Sequence, residues 1–186
     1  MLAFGMLAGI LSARNTGKGQ VVDCAMLDGA AAISATTYMM LQAGMWKDER
    51  GVNMIDTGAP YYETYETADG KYVAVGPIED EFYEEMLEIL GLAGESDLED
   101  RNDPANWKKL KARFAEVFRG KTRDEWASLF EPSDACVAPV LSLMEAPLHP
   151  HNVARKTFVE VDGVIQPAPA PRFSATPSPS IRMPSN

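Results

Sequence analysis

The sequence predicts an α/β fold in two parts, and three observations carry that prediction. The first 46 residues contain two apolar helical runs and almost no strand signal. Lys47 to Pro60 is polar and rich in Gly and Asp, so it reads as a connector between packed units. Beyond it, strand pairs joined through Asp-Gly alternate with three punctuated helices. The 186 residues are 46% hydrophobic and 24% charged, enough to bury a core, which excludes disorder of the whole chain. With 17 Lys and Arg against 27 Asp and Glu, the formal charge of -10 excludes the basic footprint of a nucleic-acid binder and disfavours anionic membranes. Cys24 and Cys136 stand far apart without cluster spacing, so neither a disulfide framework nor a zinc site is indicated and a reducing, cytoplasmic setting is expected.

Taken in order, Leu2, Met6, Leu7, Ile10 and Leu11 form an apolar helical pattern over Met1 to Ala13. It has no cationic leader and is too short to span a bilayer, so it reads as a core helix, and its pattern starts without a capping residue. Arg14 to Gly19 is a turn cluster, and Gln20-Val21-Val22 has room for a short strand. A long Ala/Met-rich helix is expected from Asp23 to about Ala43, stopped by Gly44. Its uncharged run from Gly29 to Trp46 includes Ser34, Thr36, Thr37 and Gln42, which fits a buried helix better than a membrane span.

Tyr61 to Thr67 and Lys71 to Gly76 are aromatic and β-branched runs around Ala68-Asp69-Gly70, a hairpin signal. Three helices follow. The first places Phe82, Met86, Ile89 and Leu90 on one stripe, with Gly91 after it. The second starts at Asp103-Pro104 and carries Trp107, Leu110, Phe114, Val117 and Phe118 before Gly120. Thr122 to Glu125 is a capping box opening the third, which buries Trp126, Leu129 and Phe130. Ala135 to Leu141, interrupted by Pro139, suits an edge strand. Asp162-Gly163 marks a second hairpin between Thr157 to Val161 and Val164 to Gln166. From Pro167 onward, proline excludes regular structure.

The acidic run between Lys71 and Arg101 contains one residue that stands apart. Glu84, Glu85 and Glu88 fit a solvated helix face, but Glu79 follows Val75-Gly76-Pro77-Ile78 where a strand gives way to a helix. Its ordinary role would be an N-cap. Alternatively, Asp80, Glu81 and apolar Ile78 surround it with like charge and partial desolvation, which favour the protonated form of a carboxylate and suit it to proton transfer near neutral pH. His149 and His151 offer two of the ligands a metal site needs on a proline-bearing loop, with no third at suitable spacing, and are read as solvated. Lys18 in Gly17-Lys18-Gly19 lacks the full phosphate-loop pattern and is read as a turn. Most methionines of the first third fall at core spacing. Met54 lies in the connector, where an adaptable apolar surface could accept varied acyl chains.

Several runs together carry a resemblance: Gly17 to Asp23, Arg50 to Asp56, Ala59-Pro60-Tyr61-Tyr62, Thr67 to Gly70, Val73 to Glu79, Ser133 to Leu141 and Pro169 to Phe173. In order and over nearly the whole chain they resemble the α-methylacyl-CoA racemases of the family III CoA transferases, the CaiB/BaiF group. The resemblance implies the C-terminal part of that fold: helices ending the N-terminal segment of a Rossmann-like large domain (1–50), a linker (51–59), a small α+β domain (60–146) and a return segment with a Pro-rich tail (147–186). It also implies an interlocked homodimer, an acyl-CoA substrate with no cofactor beyond its CoA, no metal, and no nucleic-acid or membrane partner.

Racemisation next to a thioester needs a proton taken from one face and returned to the other through an enolate-like species, hence two acid/base groups. By resemblance one is Glu79. The other is a histidine paired with an aspartate in a segment before Met1, which also carries the main CoA contacts. His149 and His151 do not match that histidine, and Pro77, Asp80 and Glu81 depart from the family pattern around the glutamate. Asn53, Met54, Ile55, Tyr62 and Ile78 match the stretches that bind substrate. Two other readings stay open: a CoA transferase, whose carboxylate nucleophile would lie upstream, and a non-catalytic fragment.

Overall fold

The computed structural model describes residues 1–95, 98 and 100–178. The chain divides into two compact units, Met1–Glu63 with Ser96–Lys111, and Thr64–Glu95 with Ala112–Asn186.

The first unit opens with helix α1, Leu2–Thr16, closed by Gly17 at φ 72°, whose N–H donates to Ala13 O. The segment after it does not form the strand expected at Gln20 to Val22, because no second strand pairs with it among the described residues. Instead Val22 lies in a groove of α1 made by Gly5 and Gly9, where an added Cβ would stand 2.8 Å and 3.2 Å from its methyl groups. The long helix expected from Asp23 begins later and is broken once: α2 is Met26–Ile33 and α3 is Ala35–Gln42. Ser34 interrupts them. Its hydroxyl donates to Ala30 O at 3.0 Å, competing with the backbone ladder as serine does inside helices. None of α1, α2 or α3 contains a buried residue, so the core role expected of them is not met within the described chain. No helix among the described residues is long and apolar enough to cross a membrane.

The second unit contains a three-stranded sheet in the order β1-β2-β3, from Glu63–Glu66, Tyr72–Val75 and Val137–Pro139. β2 and β3 are antiparallel with Val73 opposite Pro139 and Val75 opposite Val137, so Pro139 sits on an edge strand where its missing N–H costs no ladder bond. Helix α4 is Asp80–Leu90, α5 is Trp107–Phe118 and α6 is Arg123–Phe130. The buried stripe of α4 is Tyr83, Met86 and Leu90, with Phe82 and Ile89 only half-buried. α5 starts after a turn that Asp103 caps through Ala105 N–H at 2.9 Å, three residues beyond the expected proline start. α6 opens on the expected capping box of Thr122 and Glu125, but Leu129 is exposed while Trp126 and Phe130 are buried. Phe118 is the centre of this core: Tyr65 stacks on it at 5.2 Å and Trp126 meets it edge-on at 5.4 Å. Such pairs add about 0.5–1.5 kcal/mol each beyond the area they bury.

A short helix α7, Pro150–Arg155, leads to the expected second hairpin, β4 Phe158–Val161 and β5 Val164–Pro167. Its turn residues Asp162 and Gly163 have φ of 52° and 80°, the left-handed pair that a two-residue hairpin loop requires. The Pro-rich chain beyond is held at its start, where Ala168 N–H donates to Thr157 O and Arg172 donates to Lys156 O at the end of α7.

Candidate functional site

The backbone explains how Glu79 is presented. The ladder between β2 and β3 continues one step past Val75, with Gly76 N–H donating to Cys136 O at 3.0 Å. Buried Pro77 then turns the chain, and Ile78 N–H closes the turn on Gly76 O at 2.9 Å. Glu79 occupies the N-cap position of α4, as its ordinary reading requires, and its carbonyl accepts the Tyr83 N–H. Its side chain makes no capping bond, however, and is exposed. The carboxylate is therefore not spent on the helix. Ile78 beside it is half-buried.

Cys136 has a left-handed backbone, φ 51°, a conformation that non-glycine residues adopt under constraint. Partial burial, then the charges of Glu79, Asp134 and Glu85, push its thiol up, so it stays protonated beside carboxylates. Glu85 is fixed there by accepting Asp134 N–H at 3.0 Å.

The sheet under Glu79 is anchored by ions. Buried Arg123 grips Glu145 with two bonds of 2.8 and 3.0 Å and donates to Val140 O, while Lys71 reaches the same carboxylate at 2.9 Å. The Arg123 bond, helped by Ser142 N–H and Lys71, holds the Glu145 carboxyl well below the usual carboxylate range. These bonds tie the first residue of the β2 arm, the start of α6 and the segment after β3 to one another.

The remaining candidates lie in the first unit, on the turn Met54–Gly58 and just beyond it. Met54, Ile55 and Tyr62 are 39%, 40% and 37% exposed. Asn53 is buried and its carboxamide is fully engaged inside the loop: Oδ1 accepts Lys47 N–H, and Nδ2 donates to Lys47 O, Glu49 O and Asp56 Oδ2. Its chemistry there is that of a fastening. The candidates thus fall into two groups, Ile78 and Glu79 in one unit and Asn53, Met54, Ile55 and Tyr62 in the other. Asp56 and Cys136 are not among them. Asn53-Met54-Ile55-Asp56 has the spacing of a capping box with Asp in place of Glu, the signal that marks Asp56. Nothing local marks Cys136, which strand pairing sets against Gly76, three residues before Glu79. His149 is the N-cap of α7, His151 is exposed, and no group of three metal-ligating side chains occurs among the described residues.

Residues 1–185 match the profile of CoA-transferase family III. The chain belongs to that family. It is 42% identical over 180 residues to the α-methylacyl-CoA racemase of Mus musculus and 40% identical over 179 residues to that of Homo sapiens, covering 96% of this chain in each case. Among solved structures, a CaiB/BaiF family protein from Brucella suis superposes with a TM-score of 0.68 at 22% identity, over 94% of this chain and 47% of its own, which establishes the shared fold. The chain spans about half the length of the curated relatives it matches, 47% of each racemase.

Proposed function

We propose that this protein is an acyl-CoA racemase or epimerase that inverts the carbon next to the thioester of 2-methylacyl-CoA substrates, with Glu79 as one of two acid/base groups. The observation that carries this reading is the Glu79 carboxylate, held at the strand-to-helix junction and engaged in no capping bond. The likeness to two racemases supports it over other chemistries of the family. In the reaction, a carboxylate oxygen of Glu79 takes the α-proton and the C–H electron pair moves into the thioester carbonyl, giving an enolate. A second acid returns a proton to the opposite face. In racemases of the family that acid is a histidine paired with aspartate, and neither His149 nor His151 matches it. Met54, Ile55 and Tyr62 take the acyl chain, and Asn53 holds the turn that carries the first two. We further propose a cytoplasmic homodimer that requires no cofactor beyond the CoA of its substrate; both cysteines are free thiols, as suits a reducing compartment.

The test uses the protein isolated from its source cell, its intact mass recorded, and one epimer of a 2-methylacyl-CoA in D2O. The expected result is deuterium at the α-carbon with both epimers formed, and exchange slowed about 10²- to 10⁴-fold in Glu79→Gln. Transfer of CoA to an added carboxylic acid without α-exchange would replace this reading by the transferase. A mass of 20.3 kDa with neither reaction would make the chain non-catalytic.

A further inference from the structure

The turn that carries Met54 and Ile55 is held more tightly than a connector needs. Asp56 accepts Asn53 N–H at 2.8 Å, Gly51 N–H at 3.0 Å and Asn53 Nδ2 at 2.7 Å, so three donors converge on one carboxylate. These bonds hold its carboxyl below the ordinary value even though partial burial acts the other way. Gly58 N–H returns to Asn53 O at 3.0 Å, and at Gly58 an added Cβ would lie 2.2 Å from that oxygen, so any side chain there would force the loop to shift. Thr57 takes a left-handed φ of 73° to make the closure. Lys111 fastens the turn from α5, donating to Thr57 O and pairing with Glu63 at 2.9 Å.

The polar atoms of this clasp face one another, whereas the two large apolar side chains at its tip face water, 39% and 40% exposed. A rigid frame of this kind removes the ordering cost that a loose loop would meet when an apolar ligand lands on its tip. It also stops the tip from repacking around ligands of other shapes.

We propose that Asp56 is a positioning residue for acyl-chain selectivity: by closing the 51–58 clasp it sets Met54 and Ile55 as a fixed apolar edge against which the acyl chain is measured. This rests on the acyl-CoA reading above and adds to it the group that makes the edge rigid. Asp56 itself touches no substrate.

The experiment is isothermal titration of the isolated full protein with free CoA and a series of acyl-CoA thioesters of increasing chain length, alongside hydrogen exchange of the Gly51, Asn53 and Gly58 amides. In the wild type, affinity is expected to rise up to about fourfold per added methylene that is buried. In Asp56→Asn the gain should fall below about twofold per methylene, free CoA should bind as before, and the three amides should exchange faster. If Asp56→Asn fails to fold by circular dichroism, Lys111→Met, which loosens the clasp from outside, is read by the same criteria. A wild type whose affinity ignores chain length would sink the acyl-CoA reading and this proposal with it. A wild type that senses length, with a folded variant that keeps the same gain per methylene, would overturn the clasp alone, whether its amides exchange fast or slowly.

Discussion

Helices α1 to α3 and the aromatic cluster around Phe118 draw on the same apolar residue types and meet opposite fates. Phe4, Leu7, Leu27 and Ile33 are all more than half exposed, whereas Phe114, Phe118, Trp126 and Phe130 are buried to within 2%. The difference lies in patterning. α4 and α6 each set one apolar face against charged residues, and a single neighbouring layer buries the centre of such a face: Tyr83, Met86 and Leu90 in α4, Trp126 and Phe130 in α6. α1 is apolar on nearly every side, so partners on several sides would be needed, and among the described residues its Gly5 and Gly9 groove is met by Val22 and, at Gly5, by Cys24. Hydrophobic content therefore tells which segments need cover, while periodicity tells which already have it.

That contrast can be broken by mutation. The largest effect is expected at its buried pole: Phe118→Ala removes the ring shared by Tyr65 and Trp126 and should lower unfolding free energy by about 3–5 kcal/mol in urea titrations. Next, Gly58→Ala forces a Cβ against Asn53 O and should cost about 1–3 kcal/mol, read as a lower urea midpoint with faster exchange at the Gly51 amide.

Glu145→Gln should destabilise less, and in a pH-dependent way. Pairing with Arg123 depresses the folded carboxyl, so its stabilising contribution is complete above the unfolded carboxylate value, about 4.3, and is lost as pH falls below it toward the depressed folded value. Wild-type and variant stabilities should thus differ at pH 7 and converge in acid, as followed by thermal melts. The smallest effect belongs to the exposed pole: Leu7→Ala should change stability by no more than about 0.5 kcal/mol. Its signature would be weaker self-association in sedimentation runs, since it removes part of an exposed apolar face. A loss at Leu7 comparable with that at Phe118 would show that α1 is covered in solution.

What could be read in advance was whatever the chain decides locally. Asp69-Gly70 and Asp162-Gly163 fixed their hairpins, and Thr122 with Glu125 fixed the start of α6, because those turns and caps are closed by residues within a few positions. The break at Ser34 was missed because a serine hydroxyl returning to Ala30 O competes with the helix ladder, and the Ala- and Met-rich residues around it read as one continuous helix. Tyr83 replaced Phe82 on the core face because two adjacent aromatics satisfy the same pattern, and only tertiary packing chooses between them. The strand-to-helix junction at Glu79 was legible, and the structure puts Glu79 at the N-cap there. The Arg123 and Glu145 pair was not, since it joins residues from different elements and neither has an informative neighbour in sequence.

The surroundings of Trp126 give the protein an optical probe of its own. Its ring is 2% exposed, its indole N–H donates to Phe118 O at 2.8 Å, and the Lys121 ammonium lies 5.0 Å from its centre. Trp46 and Trp107 are only half-buried. Emission from Trp126 should therefore lie to the blue of the other two and survive concentrations of acrylamide that quench them. The residual fluorescence would follow the aromatic cluster alone, so that loosening there could be timed separately from events in the N-terminal helices without attaching a dye.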